Sequence, residues 1–215
     1  IPLRLVGSEM CIRDSTWNGH SCFTIEKDGF SIVFDPYGPN TVPGLAPLSL
    51  TADMVLCSHE HGDHGYTDAV TLKHSGTKNP FSITKIDTWH DPEQGALRGP
   101  NRIHILEADG LKIAHMGDIG CPLTREQKDM LKHLDAILIP VGGYYTIDAA
   151  QAKAVVDDLA PRVVIPMHYR SDHFGYPVIG RLEEFTGLCR NVVEYDSNAL
   201  LLTAETRPQT AVLKL

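Results

Sequence analysis

The stretch Ser58-His59-Glu60-His61-Gly62-Asp63-His64 constrains this chain more than any other. It comes directly after the apolar run Met54-Val55-Leu56-Cys57, which reads as a buried strand, so the cluster sits where a strand gives way to a loop. Side chains two apart on an extended backbone point the same way, which lets His59 and His61 grip one ion together. Gly62 is expected to turn the backbone through conformations closed to other residues, throwing Asp63 and His64 toward a second position. Neutral imidazole suits zinc and its first-row neighbours, and a carboxylate serves a harder or second ion. A lone histidine is more often a satisfied structural residue than a ligand. Four ligand-type residues at this spacing point to a metal centre.

Later candidates also come after strand-like runs. Asp118 lies beyond Lys112 to His115, and His168 beyond Val163 to Met167. A fold that gathers loop residues at one edge of its sheets builds a metal site this way. The rest of the chain supplies such strands. Thr16 to Ile25 alternates with a break at Gly19, and Lys27-Asp28-Gly29 turns it into Ser31 to Phe34, a hairpin signal. A Gly/Pro-rich loop, Tyr37 to Pro47, comes after Asp35-Pro36. Tyr66 to Lys73 is expected as a short helix, Phe81 to Ile86 as a strand, and Asp91 to Gly99 as a long loop. Arg102 to Glu107 and Lys112 to His115 form a second hairpin around Asp109-Gly110. Thr124-x-x-Gln127 is a capping box ahead of Met130, Leu131 and Leu134. A helix over 147–159 turns Ala152, Val155, Val156 and Leu159 inward between the strands Ala136 to Pro140 and Val163 to Met167. The tail carries a helix near Arg181 to Phe185 and short strands. Residues 1–15 show no clean alternation and are expected to be a non-native or disordered segment, with Leu3 to Val6 as a competing edge strand. That leaves a single domain over 16–215.

Composition narrows the function classes. Nineteen basic against 27 acidic residues give a net charge of −8, which argues against electrostatic binding of nucleic acid. The five cysteines, Cys11, Cys22, Cys57, Cys121 and Cys189, are odd in number and widely spaced, which suits free thiols in a reducing cytoplasm. No apolar run approaches the ~20 residues that span a membrane, and no secretory h-region is visible. The expected setting is therefore cytoplasmic, with a small-molecule substrate, no membrane partner and a homo-oligomer left open.

The cluster resembles the His-x-His-x-Asp-His signature of the metallo-β-lactamase fold, over roughly residues 16 to 215. Trp89-His90-Asp91, His115-Met116-Gly117-Asp118 and Pro166-Met167-His168-Tyr169 fall in the family's order. The resemblance implies an α/β (α+β) fold, a four-layer αββα sandwich with two mixed β-sheets and the metals at one edge. It also implies that His59, His61 and His90 hold one ion, that Asp63, His64 and His168 hold another, and that Asp118 bridges them. His90 is carried mainly by its order along the chain. No cysteine stands at the second position, a departure from true β-lactamases, and the site is closer to the glyoxalase II and lactonase branches. His20, in Gly-His-Ser, resembles a feature at the site's rim, with a turn-fixing role as the alternative. Asp35 is a candidate for orienting a ligand histidine. Arg98 and Asn101 resemble a recurrent family segment and are candidates for an anionic substrate group, against the reading of Arg98 as a surface arginine. Tyr144 and Tyr145 are candidates for the pocket wall, and His173 for substrate contact. His74 and His133 read as solvated, His104 and His115 as structural.

The resemblance thus implies a metal-dependent hydrolase with two divalent ions, zinc first and manganese or iron as alternatives. Such a pair activates a water against an ester, lactone, thioester, amide or phosphate centre, with Asp63 as a candidate proton shuttle. No Gly-x-Ser-x-Gly or Ser/His/Asp arrangement competes for a nucleophile role. Two alternatives stay open: a nucleic-acid phosphodiesterase related to tRNase Z, and a non-hydrolytic di-iron redox protein. Di-iron members usually carry glutamate where this chain has His61.

Overall fold

The structure, a computed structural model, describes residues 11–215. The described residues open with three antiparallel strands, β1 (Cys11–Gly19), β2 (Cys22–Lys27) and β3 (Phe30–Phe34), joined by the turns at Gly19-His20 and Asp28-Gly29. β4 (Leu50–Ala52) leads to β5 (Met54–Leu56), then β6 (Val70–Leu72) and β7 (Ser82–Trp89). The second half runs β8 (Pro100–Ala108), β9 (Leu111–His115), α1 (Arg125–Met130), β10 (Ala136–Pro140), α2 (Ala149–Leu159) and β11 (Val163–Met167). It closes with α3 (Leu182–Thr186), β12 (Val192–Glu194), β13 (Ala199–Thr203) and β14 (Gln209–Val212).

Two mixed sheets carry the fold. The first has five strands in the order β13-β1-β2-β3-β5, and the second has seven, β12-β14-β11-β10-β9-β8-β7. β10 and β11 read as unbroken apolar runs because parallel central strands are buried on both faces. Phe23, Ile25, Ile32 and Phe34 face the shared core with Ile103, Ile105, Ile113 and Leu138. On the other face of the five-stranded sheet, Cys22 and Val33 pack with Tyr37, Val42, Ala52 and Val70. That outer layer therefore comes from the 37–49 loop and the two-stranded β4–β6 sheet. Ala152 on α2 is fully buried, and Val155, Val156 and Leu159 pack against the main core as their spacing predicts.

Some expectations need correction. Residues 11–15 belong to β1, which pairs with β2 and β13, so the sheet begins ahead of residue 16. The remaining expectations for the N-terminal segment, the Leu3 to Val6 strand included, lie outside the described residues. Tyr66 to Lys73 is no helix: a single 3-10 turn at Thr67–Ala69 passes straight into β6. Val70-Thr71-Leu72 finds a strand partner in Leu50 to Ala52, and β-branched residues fit that pleated pairing better than a helix. α1 is only 6 residues long, and Met130 at its end is exposed while Leu131 and Leu134 are buried.

Candidate metal centre

Each candidate ligand hangs just beyond the carboxyl end of a strand. His20 comes after β1, Asp35 after β3, and His59 to His64 after β5. His90 comes after β7, Asp118 after β9 and His168 after β11. Two sheets packed face to face bring these ends to one edge. His20, Asp35 and His168 sit at φ 52°, 45° and 53°, a left-handed conformation that is uncommon for residues with a side chain. Such strain persists where surrounding structure holds it, as it does here through buried contacts on every side.

Among the described residues three overlapping groups of candidate ligand atoms result: His59 with His61 and His90; His20 with Asp63, His64 and His168; and His59 with His64 and Asp118. Within each group the candidate atoms all lie within 4.8 Å of one another. Asp118 joins the groups, its Oδ2 lying 3.1 Å from His64 Nε2, 3.3 Å from His90 Nε2 and 3.1 Å from His168 Nε2.

The far side of each ring explains why these nitrogens converge. His64 Nδ1–H donates to Asp35 Oδ2 at 2.8 Å, because a carboxylate only accepts. Ser58 Oγ donates to the same Oδ2 at 2.6 Å, so it accepts from His59 Nδ1–H at 2.9 Å. His90 Nδ1–H donates to the Tyr145 carbonyl at 3.1 Å. In all three rings the pinned Nδ1 leaves Nε2 as the nitrogen that would take a metal, with His64 giving up its second proton to do so. Asp35 also accepts the Ser58 backbone N–H at 2.7 Å, so one buried carboxylate fixes two rings and the start of the loop between them.

The charge states depend on this packing. Burial opposes ionisation of Asp35, yet His115, His64 and His59 around it hold its pKa down to about 2. Burial, reinforced by the charge on His64, pushes His59 down to about 3. Burial and His168 push His20 down to about 4. Burial also works against a proton on His64, but Asp118, Asp63 and Asp35 together raise it well above the ordinary histidine range. Asp118 stays ionised despite burial because His168 and His64 flank it. The donor set fits divalent metal ions: His59 Nε2, His64 Nε2, both nitrogens of His168 and Asp118 Oδ1 are buried with no hydrogen-bond partner. Buried polar atoms are otherwise almost always paired.

The structure divides the other candidates. Arg98 lines a cavity of about 260 Å³ with His61, Asp63, His90, Asp118 and His168. Asn101 does not reach it. That side chain is buried, donating to the Met116 carbonyl at 3.0 Å and Thr88 Oγ1 at 2.8 Å and accepting from the Asp118 backbone N–H at 2.8 Å. Asn101 is thus a brace for the Asp118 loop, and its β8 position explains the burial. Tyr144 points out and is 64% exposed, while the adjacent Tyr145 lines the cavity. His20 lies inside the ligand group instead of on the rim, its ring 4.2 Å from that of His168. His173 lines a separate cavity with Trp17, Tyr37 and Phe174. Gly62 does not take a left-handed conformation, and a Cβ there would meet only Thr41 Cγ2 at 3.6 Å. The turn is closed instead by the His64 and Gly65 N–H groups on the His61 carbonyl, at 2.9 and 2.7 Å. Glu60 is exposed, and so is the neighbouring His61, so burial does not alternate through this segment.

Two contributors escape a reading by motif. Ser58 relays Asp35 to His59, and its only sequence signal is its place before the first histidine. Tyr176, from the same loop as His173, lines the cavity and donates its hydroxyl to Asp63 Oδ2 at 3.1 Å. His115 is structural as expected, its Nε2–H donating to the Ser21 carbonyl at 2.9 Å and its ring stacked on Phe34.

With this geometry in place, comparisons with known proteins define the class. The beta-lactamase superfamily domain matches residues 15–168. A UPF0173 metal-dependent hydrolase of Thermococcus onnurineus is 30% identical, the match covering 82% of this chain and 92% of that protein. A Thermotoga maritima structure assigned as a Zn-dependent hydrolase of the metallo-beta-lactamase superfamily is 31% identical. It superposes with a TM-score of 0.71 over 93% of this chain and 97% of that one. A metallo hydrolase of Ignicoccus hospitalis matches at 25% identity and a TM-score of 0.63, covering 88% and 97%. The chain belongs to the beta-lactamase superfamily, among its metal-dependent hydrolases.

Proposed function

We propose that this protein hydrolyses a small molecule at an ester, lactone, thioester or phosphoester bond, using two divalent metal ions, zinc foremost. His59, His61 and His90 would hold one ion, Asp63, His64 and His168 the other, and Asp118 both. The supporting observation is that three imidazoles pinned at Nδ1 gather their Nε2 atoms about one buried carboxylate, His64 and His90 at 3.1 and 3.3 Å from Asp118 Oδ2 and His59 in one ligand group with it. His20, whose nitrogens have no hydrogen-bond partner, is a further donor to the second position. Ions bound here supply a water of lowered pKa and a Lewis acid at the electrophilic oxygen.

The protein's own groups do the rest. Asp35 and Ser58 orient His64 and His59, so that the rings need no rearrangement to bind. Tyr176 holds Asp63 Oδ2 by its hydroxyl, and Asp63 is placed to take a proton on its carboxylate and return it to the leaving group. Tyr145 and Tyr176 line a cavity of only about 260 Å³, which supports a small substrate over a nucleic-acid strand. Cys22, Cys57, Cys121 and Cys189 are free, which supports a cytoplasmic setting.

The test is elemental analysis of protein purified without chelator, beside turnover of lactone, thioester and phosphodiester substrates. Two equivalents of zinc or manganese with chelator-sensitive turnover are expected. Two equivalents of iron with no hydrolysis would sink the proposal in favour of redox chemistry.

A further inference from the structure

The loop between β7 and β8 is built around one buried carboxylate. Asp91 Oδ1 accepts the backbone N–H groups of Glu93 and Gly95 at 2.8 and 3.0 Å, and Oδ2 those of Leu97 and Arg98 at 3.1 and 2.8 Å. His90 N–H donating to the Gly99 carbonyl at 3.1 Å closes the base of the loop. The segment expected as a long loop is therefore held by its own hydrogen bonds, and its last side chain before the base is Arg98.

Arg98 is half-buried in the cavity wall, and no salt bridge within 4.0 Å involves it among the described residues. Its guanidinium lies 5.7 Å from the centre of the Tyr145 ring. Tyr145 meets Tyr176 edge-on at 5.7 Å, and the Tyr176 hydroxyl donates to Asp63. One continuous wall thus runs from an unpaired guanidinium to the proposed proton shuttle. A cation held in a cavity by a ring face alone gains little, whereas a planar fork of donors binds an anion through two parallel hydrogen bonds.

We infer that Arg98 is a specificity residue that binds a carboxylate or phosphate group on the substrate, across the Tyr145–Tyr176 wall from the bond cleaved. This rests on the hydrolase reading proposed for the same site. The substrate class is then a small anionic ester or lactone, with the Asp91 loop preorganising the guanidinium before the substrate arrives.

The experiment uses the zinc-loaded protein, Arg98→Gln and Arg98→Lys. Turnover is compared on neutral 4-nitrophenyl butyrate, 4-nitrophenyl hemisuccinate and a matched ester ending in phosphate. In parallel, calorimetry measures binding of monomethyl glutarate and propyl phosphate. Losing a charge-assisted pair is expected to cut the anionic-over-neutral ratio of kcat/KM by at least about tenfold in Arg98→Gln, mostly through KM, with a similar loss in probe affinity. Arg98→Lys should recover part of both, and the arm that responds more strongly identifies carboxylate or phosphate. A ratio and an affinity that stay within about twofold in Arg98→Gln, at unchanged thermal stability, would overturn the inference. Probe binding that depends on Arg98 without cleavage of any ester would leave the anion subsite standing and remove ester hydrolysis. Cleavage with binding indifferent to Arg98 would do the reverse.

Discussion

His61 is the most exposed of the candidate ligands, and it belongs to only one of the three ligand groups. His61→Ala should therefore remove one metal equivalent and most turnover while leaving the fold intact, as read by elemental analysis and circular dichroism. Asp35 is the opposite case, fully buried and bonded to both His64 and Ser58. Asp35→Asn leaves its volume nearly unchanged but removes the charge that anchors both rings, so metal affinity should fall by about 10–100-fold. An unchanged affinity in a competition titration would mean that packing alone orients the rings. His104 carries a prediction away from the site. It is buried with Nδ1 unpaired, and burial together with His115 pushes its pKa down to about 4. Above its unfolded pKa of about 6.5 both states are neutral, and stability is full. Between about pH 6.5 and 4 the unfolded chain binds a proton that the folded one refuses, so stability falls with pH by as much as about 3 kcal/mol. His104→Phe should flatten that part of the curve of Tm against pH in the metal-free protein.

Among the elements, the loop after β9 is the most tightly specified. Gly117 stands at φ 56°, and a Cβ there would run into Asn101 Oδ1 and the Ser58 side chain. Gly117→Ala should displace Asp118, lower Tm and cost metal, since left-handed strain alone is of order 1 kcal/mol or more. Gly62→Ala is the informative contrast. The motif makes Gly62 look indispensable, yet its backbone is not left-handed and the nearest neighbour of a Cβ is 3.6 Å away. It should keep near-native Tm and metal content. A collapse of Gly62→Ala, with Gly117→Ala tolerated, would show that the His61 carbonyl does not close this loop. Element by element, strands with strong alternation or unbroken apolar runs are legible in the sequence, and so is α1 from its capping box at Thr124. The 66–73 segment is not, because its strand character depends on pairing with β4, which lies on the far side of β5 and the whole histidine loop.

For the molecule as a whole, the metal centre is also a stability element. Without ions, buried imidazole nitrogens and Asp118 Oδ1 are left unpaired beyond the strand ends. Ligand at a thousandfold excess over Kd stabilises a fold by about 4 kcal/mol, which corresponds to roughly 10 °C in Tm for a chain of this size. Chelation should lower Tm by that order and zinc should restore it; a Tm indifferent to chelator would mean that the site does not bind ions in the folded state. The sequence by itself determined that His and Asp candidates come after strands and that four of them cluster between His59 and His64, since both are local properties of residue type and spacing. It also carried the family, whose motifs recur in order along the chain. Tertiary structure alone decided that Asn101 braces a loop while Arg98 enters the cavity, that Tyr176 reaches Asp63, and that Asp35 and Ser58 turn the histidines' Nε2 atoms inward. Those outcomes depend on which distant strand ends meet across the sandwich, and pairings between residues as far apart as Asp63 and Tyr176 leave no periodic trace in the chain.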